Sequence, residues 1–327
     1  MTGSERAAGA PLRLLSWPGM PAPEALERVA ARIGVALHVE TIVANEELER
    51  RLGEGWDLIC PSDYMVQRLA RQGRLRPLDD ALLPGRRQLA DWARRPAYDP
   101  GDRWSVPLAF GTVGVLYDRA ALGAVPEPGG WSLLFDPPAG ARVGMLAEPR
   151  EVVSAALLAA GRDANAADDA ALAAAAALLE RQAPAVARFD SDDFTGPVRA
   201  RQVSAHQAWS GPASVALRAD PGLGYTVPRE GAVAWVTTVA ITAGCSRAAL
   251  AHAAIEALLD PALARLNVER DGFATPNAAA RALLQPALRD DPVLFPDAAT
   301  LARCTTLREL DEAQERAVTA LYERVAG

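Results

Sequence analysis

Two stretches decide the fold: LRLLSW at Leu12–Trp17 and WDLICPSDY at Trp56–Tyr64. In each, a short apolar run ends at a proline-containing turn. Between them, Pro21 to Ile33 carries apolar residues at helical spacing and stops at Gly34. Val35 to Val43 then alternates and is rich in β-branched residues, so it reads as a strand. Asn45 is expected to cap a short helix that has Glu46 and Glu47 in its first turn, where the dipole favours acids. That helix ends at Gly53. Trp56–Cys60 is a short buried strand, and Ser62 is expected to cap the helix Asp63–Arg71, which stops at Gly73. Strand and helix alternating over so short a repeat predict a parallel sheet with helices on its faces. Ligands of such sheets sit at the C-terminal ends of the strands. The tips Ser16-Trp17-Pro18-Gly19 and Pro61-Ser62-Asp63-Tyr64 each bring an aromatic residue there.

Further along, Pro107–Tyr117 is extended and interrupted by Gly111 and Gly114, as suits a strand crossing between two lobes. A second alternating unit follows. Arg142–Leu146 reads as a strand, Glu148-Pro149 opens a helix to about Gly161, and Asp168–Arg181 is an Ala- and Leu-rich helix. Val203–Trp209 reads as a helix end or a strand. Tyr225–Pro228 and Ala232–Ile241 are strands, the second a candidate return crossing. Helices are expected over Arg247–Leu259, Pro261–Glu269 and Leu307–Val325, and no internal repeat is visible.

The 327 residues suffice for two cores. Half are apolar and 23% are charged, an ordinary balance for a soluble globular chain. The formal net charge of −7 argues against nucleic acid, which needs clustered positive charge. Every basic residue other than histidine is Arg. Cys60, Cys245 and Cys304 have no metal-site spacing, so no metal is expected. Met1 to Pro11 reads as a flexible leader without the basic and apolar regions of a secretory signal.

Several segments, in order, resemble the polyamine-binding family of type II periplasmic solute-binding proteins, the spermidine/putrescine receptors of ABC transporters. They are Leu15-Ser16-Trp17, Trp56 to Tyr64, Val106-Pro107-Leu108 with Gly111, and Glu148-Pro149-Arg150-Glu151-Val152. After them come Trp209-Ser210-Gly211, Pro228-Arg229-Glu230-Gly231 leading to Trp235, Thr275 to Arg281, and Leu294 to Ala298. The resemblance covers Leu12 to Gly327. It implies an α/β, two-lobed periplasmic binding protein type II fold, with two crossover strands and a ligand cleft between the lobes. One lobe is expected over 12–112 plus 236–281, the other over 113–235 plus 282–327, after a flexible leader at 1–11. The implied function is an extracytoplasmic receptor of an ABC importer, periplasmic or at the cell surface. It would act as a monomer and, without a cofactor, deliver a polyamine-like or other small cationic ligand to a permease after hinge closure.

A polyamine joins ammonium groups through apolar methylenes. It suits aromatic walls, at about 0.5–2 kcal/mol for each cation–π contact, and carboxylates that form charge-assisted hydrogen bonds. By resemblance, Trp17, Tyr64, Trp209, Trp235 and Phe273 match aromatic positions, Ser62 a polar contact, Glu151 an ammonium-binding acid and Glu148 a second acid. Thr237 stands where amine binders typically carry Asp. Gly19 replaces another acid, Met20 a usual tyrosine and Leu307 a polar contact. An ammonium buried without a partner costs several kcal/mol. The expected ligand therefore has one cationic end, or is altered altogether.

Each of these residues has a plainer reading. The tryptophans suit a core; Glu148 and Glu151 suit a helix start, and Ser62 suits a cap. Trp56, Trp92, Trp104 and Trp131 are read as structural, and Asp190-Ser191-Asp192-Asp193 as a solvated loop. Two other functions remain open: a Cys-dependent enzyme using Cys60, which needs a nearby base, and a non-exported ligand sensor.

Overall fold

The computed structural model describes residues 9–327. The leader expected at 1–11 lies largely outside the described residues. The chain forms two compact units. The first runs up to Phe110 and returns over Val236–Asp290; the second comprises Gly111–Trp235 and Asp291–Gly327. The sequence reading placed the last passage after Arg281. Residues 282–290 instead remain with the first unit, where Arg281 Nε and Nη2 donate to the Arg289 carbonyl at 3.1 and 3.0 Å.

In the first unit, β1 (Leu12–Ser16) pairs in parallel with β2 (Leu37–Thr41) and with β3 (Leu58–Ile59). β9 (Ala232–Ile241) starts in the second unit, and its end lies antiparallel to β3, with Leu58 opposite Ile241. The sheet's apolar faces, through Leu12, Leu14, Leu58, Val239 and Ile241, build one core with the helices. Pro23 opens the helix Pro23–Ile33, and Gly34 closes it in the left-handed region at φ 70°. That helix buries Ala25 and Val29 and packs against the helix Ala248–Leu258.

In the second unit, the last part of β4 (Ser105–Asp118) is antiparallel to β7 (Ala205–Trp209) and to β8 (Leu223–Thr226). β5 (Val143–Met145) runs parallel to β7 and to β6 (Val186–Phe189), and β10 (Cys304–Thr305) runs parallel to the start of β9. The helix Pro149–Ala159 packs on the helices Asp169–Gln182 and Glu312–Ala326. Trp131 is fully buried, and its indole N–H donates to the Gly231 carbonyl at 2.8 Å, so its polar atom is satisfied.

Several local expectations change. Ala44, not Asn45, holds the cap position, and Asn45 is the first helical residue. Its side chain turns instead to Ser62: Asn45 Nδ2 donates to Ser62 Oγ, and Ser62 N donates to Asn45 Oδ1, both at 3.0 Å. Ser62 therefore sits at the start of the helix Asp63–Arg71 without capping it by its side chain. The last helix begins at Glu312, because Asp311 and Gln314 form a capping box. Val203–Trp209 resolves into β7. The short strands β6 and β10 had no signal, each being too brief to alternate.

β4 carries glycine where the second unit crowds it. A Cβ on Gly114 would lie 2.4 Å from the Thr226 carbonyl oxygen and 2.7 Å from Tyr225 Cζ. Relief needs movement of β8 backbone. Gly114→Ala is therefore expected to cost about 1–3 kcal/mol, as overpacking does, measured as a lower urea midpoint; an unchanged midpoint would show that β8 yields freely.

Candidate functional site

Each unit holds a separate group of the residues singled out in the sequence. In the first, β1 and β3 end side by side. Trp17 Nε1 donates to the Cys60 carbonyl at 2.8 Å, which ties the first tip to the second. Thr237 of β9 bridges Ser62, and Thr238 N and Oγ1 donate to the Pro61 carbonyl at 3.0 and 2.9 Å. Trp17 and Ser62 are half-buried, while Tyr64 and Thr237 are buried. The Tyr64 hydroxyl reaches Glu46 Oε1 at 3.4 Å. Phe273, half-buried, follows the left-handed Gly272 that ends the helix Pro261–Asp271. The first group thus has Trp17 and Ser62 just beyond neighbouring strand ends, Tyr64 in the first turn of the helix that follows and Thr237 bridging from within β9, with Asn45 holding Ser62.

The second group centres on Glu151. The helix Pro149–Ala159 follows β5, and Glu151 lies in its first turn. Trp209, at the end of β7, is hydrogen-bonded through its side chain to the Glu151 carboxylate. Phe194 meets the Trp209 ring edge-on at 5.4 Å between centroids. Gln207 braces the same turn: its Nε2 donates to the Glu151 carbonyl at 2.9 Å, and its Oε1 accepts from Leu146 N at 3.4 Å. Trp235 lies over Gly111, where a Cβ would come within 2.4 Å of Trp235 Cζ2 and 2.8 Å of Ser210 Oγ. Gly111 therefore leaves room for the Trp235 indole beside Ser210, the residue next to Trp209. Glu148 occupies the cap position of the helix without a side-chain cap, and its charge is felt by Tyr322.

Glu151 Oε2 is shielded from solvent and has no hydrogen-bond partner. Burial pushes the Glu151 carboxyl up from 4.5 to about 7, although the Trp209 hydrogen bond and the Arg150 charge pull the other way. Tyr225, which the sequence reading did not single out, is close enough to feel the Glu151 charge; burial is the main cause of its own raised value. Its hydroxyl donates to the Thr112 carbonyl at 3.0 Å. Gln207, Tyr225 and the link of Asn45 to Ser62 carry no sequence signal, because they depend on strand pairing and not on local motifs.

Cys60 is fully buried, and burial pushes its thiol up to about 12, with a Ser16 hydrogen bond the smaller, opposing effect. That is the reverse of the shift an attacking thiolate needs. In the acidic loop, Asp190 Oδ1 accepts from the backbone N–H groups of Asp192 and Asp193 at 2.8 and 3.1 Å. Asp193 Oδ1 accepts from Gly196 N at 2.8 Å, so the loop spends these oxygens on its own turns. Among the described residues, no helix is long and apolar enough to cross a membrane.

The raised Glu151 value has a signed consequence for stability. Between about pH 4.5 and 7 the unfolded chain has released this proton while the folded chain keeps it, so stability falls as pH rises through that window and levels off above it. Glu151→Gln removes the dependence. Thermal melts of the ligand-free chains from pH 4.5 to 8 are expected to show the wild type losing ground against the variant; parallel curves would contradict the burial of the charge.

A family model for bacterial extracellular solute-binding proteins matches residues 55–304. The chain is 31% identical to spermidine/putrescine-binding periplasmic protein 1 of Haemophilus influenzae, over 89% of this chain and 82% of that one. It is 30% identical to a putrescine/cadaverine-binding protein of Pseudomonas aeruginosa, over 99% and 96% of the two chains. A solved spermidine/putrescine ABC transporter substrate-binding protein of Streptococcus pneumoniae superposes with a TM-score of 0.85 at 25% identity, covering 97% of this chain and 98% of that one. With the strand order, the two compact units and these matches, the chain belongs to the family of bacterial extracellular solute-binding proteins.

Proposed function

We propose that the chain captures a small organic cation of the polyamine type for an ABC importer, outside the cytoplasm, and releases it chemically unchanged. The observation that carries this reading is the half-buried Glu151 carboxylate beside Trp209, whose Oε2 is shielded from water and unpartnered. A buried carboxylate without a full set of partners is poised for a cation. The aromatic residues nearby add attraction for an ammonium or guanidinium and cover methylenes. The relatives named above bind spermidine, putrescine and cadaverine by name. Trp17, Ser62, Tyr64, Thr237 and Phe273 are proposed as ligand contacts from the first unit, and Glu148, Glu151, Trp209 and Trp235 from the second.

Calorimetric titration with putrescine, cadaverine, agmatine and n-butylamine tests the reading. Glu151→Gln is expected to weaken amine binding about 10- to 100-fold, as loss of a charge-assisted hydrogen bond does. The pH profile supplies a second check. A primary amine stays protonated up to about pH 10, whereas Glu151 must lose its proton near 7 to hold it. Wild-type affinity is therefore expected to rise from pH 6 to 8, while Glu151→Gln shows no such rise. Amine binding that is indifferent to both pH and the substitution would overturn the role of Glu151, and absence of any amine binding would overturn the function.

A further inference from the structure

Gly19 stands in the first tip, where the family resemblance leads one to expect an acid. Its backbone is left-handed at φ 72°. A Cβ built there would lie 3.2 Å from Asp271 Oδ2 and 3.5 Å from Asp271 Cγ. The carboxylate of Asp271 therefore lies against the place where a side chain at position 19 would begin. Asp271 is the last residue of the helix Pro261–Asp271, and that helix is fastened to the same tip: Asn267 Oδ1 accepts from Ala22 N at 2.7 Å.

An acid at a helix C-terminus opposes the helix dipole, so its placement has no local benefit. Burial raises the Asp271 carboxyl above its ordinary range, with the Arg270 charge opposing. Asp271 Oδ2 is shielded from solvent and has no hydrogen-bond partner. The ion pair with the exposed Arg270 stands at 3.6 Å, beyond hydrogen-bond length. The geometry is that of a carboxylate held ready at the first tip.

We propose that Asp271 is the ammonium-binding carboxylate of the first unit, reaching from a helix end into the place left by Gly19. The proposal rests on the reading of the chain as an amine receptor. It reverses the expectation of a ligand with one cationic end. In the second unit, Glu151 Oε2 is likewise shielded and without a hydrogen-bond partner. The matching ligand class is a short aliphatic chain with a cation at each end, a diamine or a guanidino-amine, in preference to a monoamine.

The test is calorimetry at pH 8 with putrescine and n-butylamine on the wild type, Asp271→Asn, and the relocation variant Gly19→Asp with Asp271→Ala. Aspartate is among the few residues that tolerate the left-handed region, and the shortened residue 271 leaves it room. The wild type is expected to prefer putrescine. Asp271→Asn is expected to weaken putrescine about 10- to 100-fold while leaving n-butylamine nearly unchanged, and the relocation variant to recover the preference for the diamine. If Asp271 serves only Arg270 or the helix end, Asp271→Asn keeps the preference or weakens both amines alike, and either result overturns the proposal. Failure of the wild type to bind any amine overturns the amine-receptor reading, and this proposal with it. A wild-type preference that Asp271→Asn leaves intact overturns this proposal alone.

Discussion

A carboxylate withdrawn from water holds either a proton or a cation, and the second unit is arranged to withdraw Glu151. The helix Pro149–Ala159 starts directly after β5 and so delivers its first turn to the C-terminal edge of that strand. β7 runs parallel to β5 and ends on Trp209, whose side chain is hydrogen-bonded to the carboxylate. Gln207, two residues earlier on the same strand, fastens the backbone of that turn. Gly111 leaves space for Trp235 beside Ser210. Sheet register and small residues thus set an acid and its aromatic neighbours together. An exposed glutamate at a helix start would be worth only a modest dipole interaction; burial makes this one costly to leave charged and alone.

Much of the fold was legible because its signals are local. The alternation of strand and helix over Leu12–Gly73 needs only periodicity and glycine stops, and β1, β3 and their tips fall where that pattern puts them. β9 spans Ala232–Ile241, the range read from its β-branched run. What escaped is non-local. Asn45 looked like a cap, but the second tip competes for its side chain and takes it. β6 and β10 are too short to carry a period and exist because neighbouring strands offer unpaired edges.

The same division applies to the candidate site. Trp17, Ser62, Glu151, Trp209 and Trp235 could be picked out because family segments surround them. Asp271 could not, since it lies 252 positions from Gly19 in sequence and its neighbour Phe273 drew the attention. A sequence pattern registers the loss of an acid at position 19. It does not register that a carboxylate from another element approaches the same point. Charge can be conserved in space while it moves in sequence, because an ammonium responds to where the oxygen stands and not to which backbone carries it.

The proposed receptor would hold an intact organic cation and perform no reaction on it. The most direct measurement is native mass spectrometry of the chain purified without added ligand from its source cells, followed by denaturation and identification of the released molecule. One small aliphatic amine per chain is expected, cationic at both ends and chemically identical before and after incubation with the protein. A neutral or anionic molecule in its place, or conversion of the amine to another product, would contradict it.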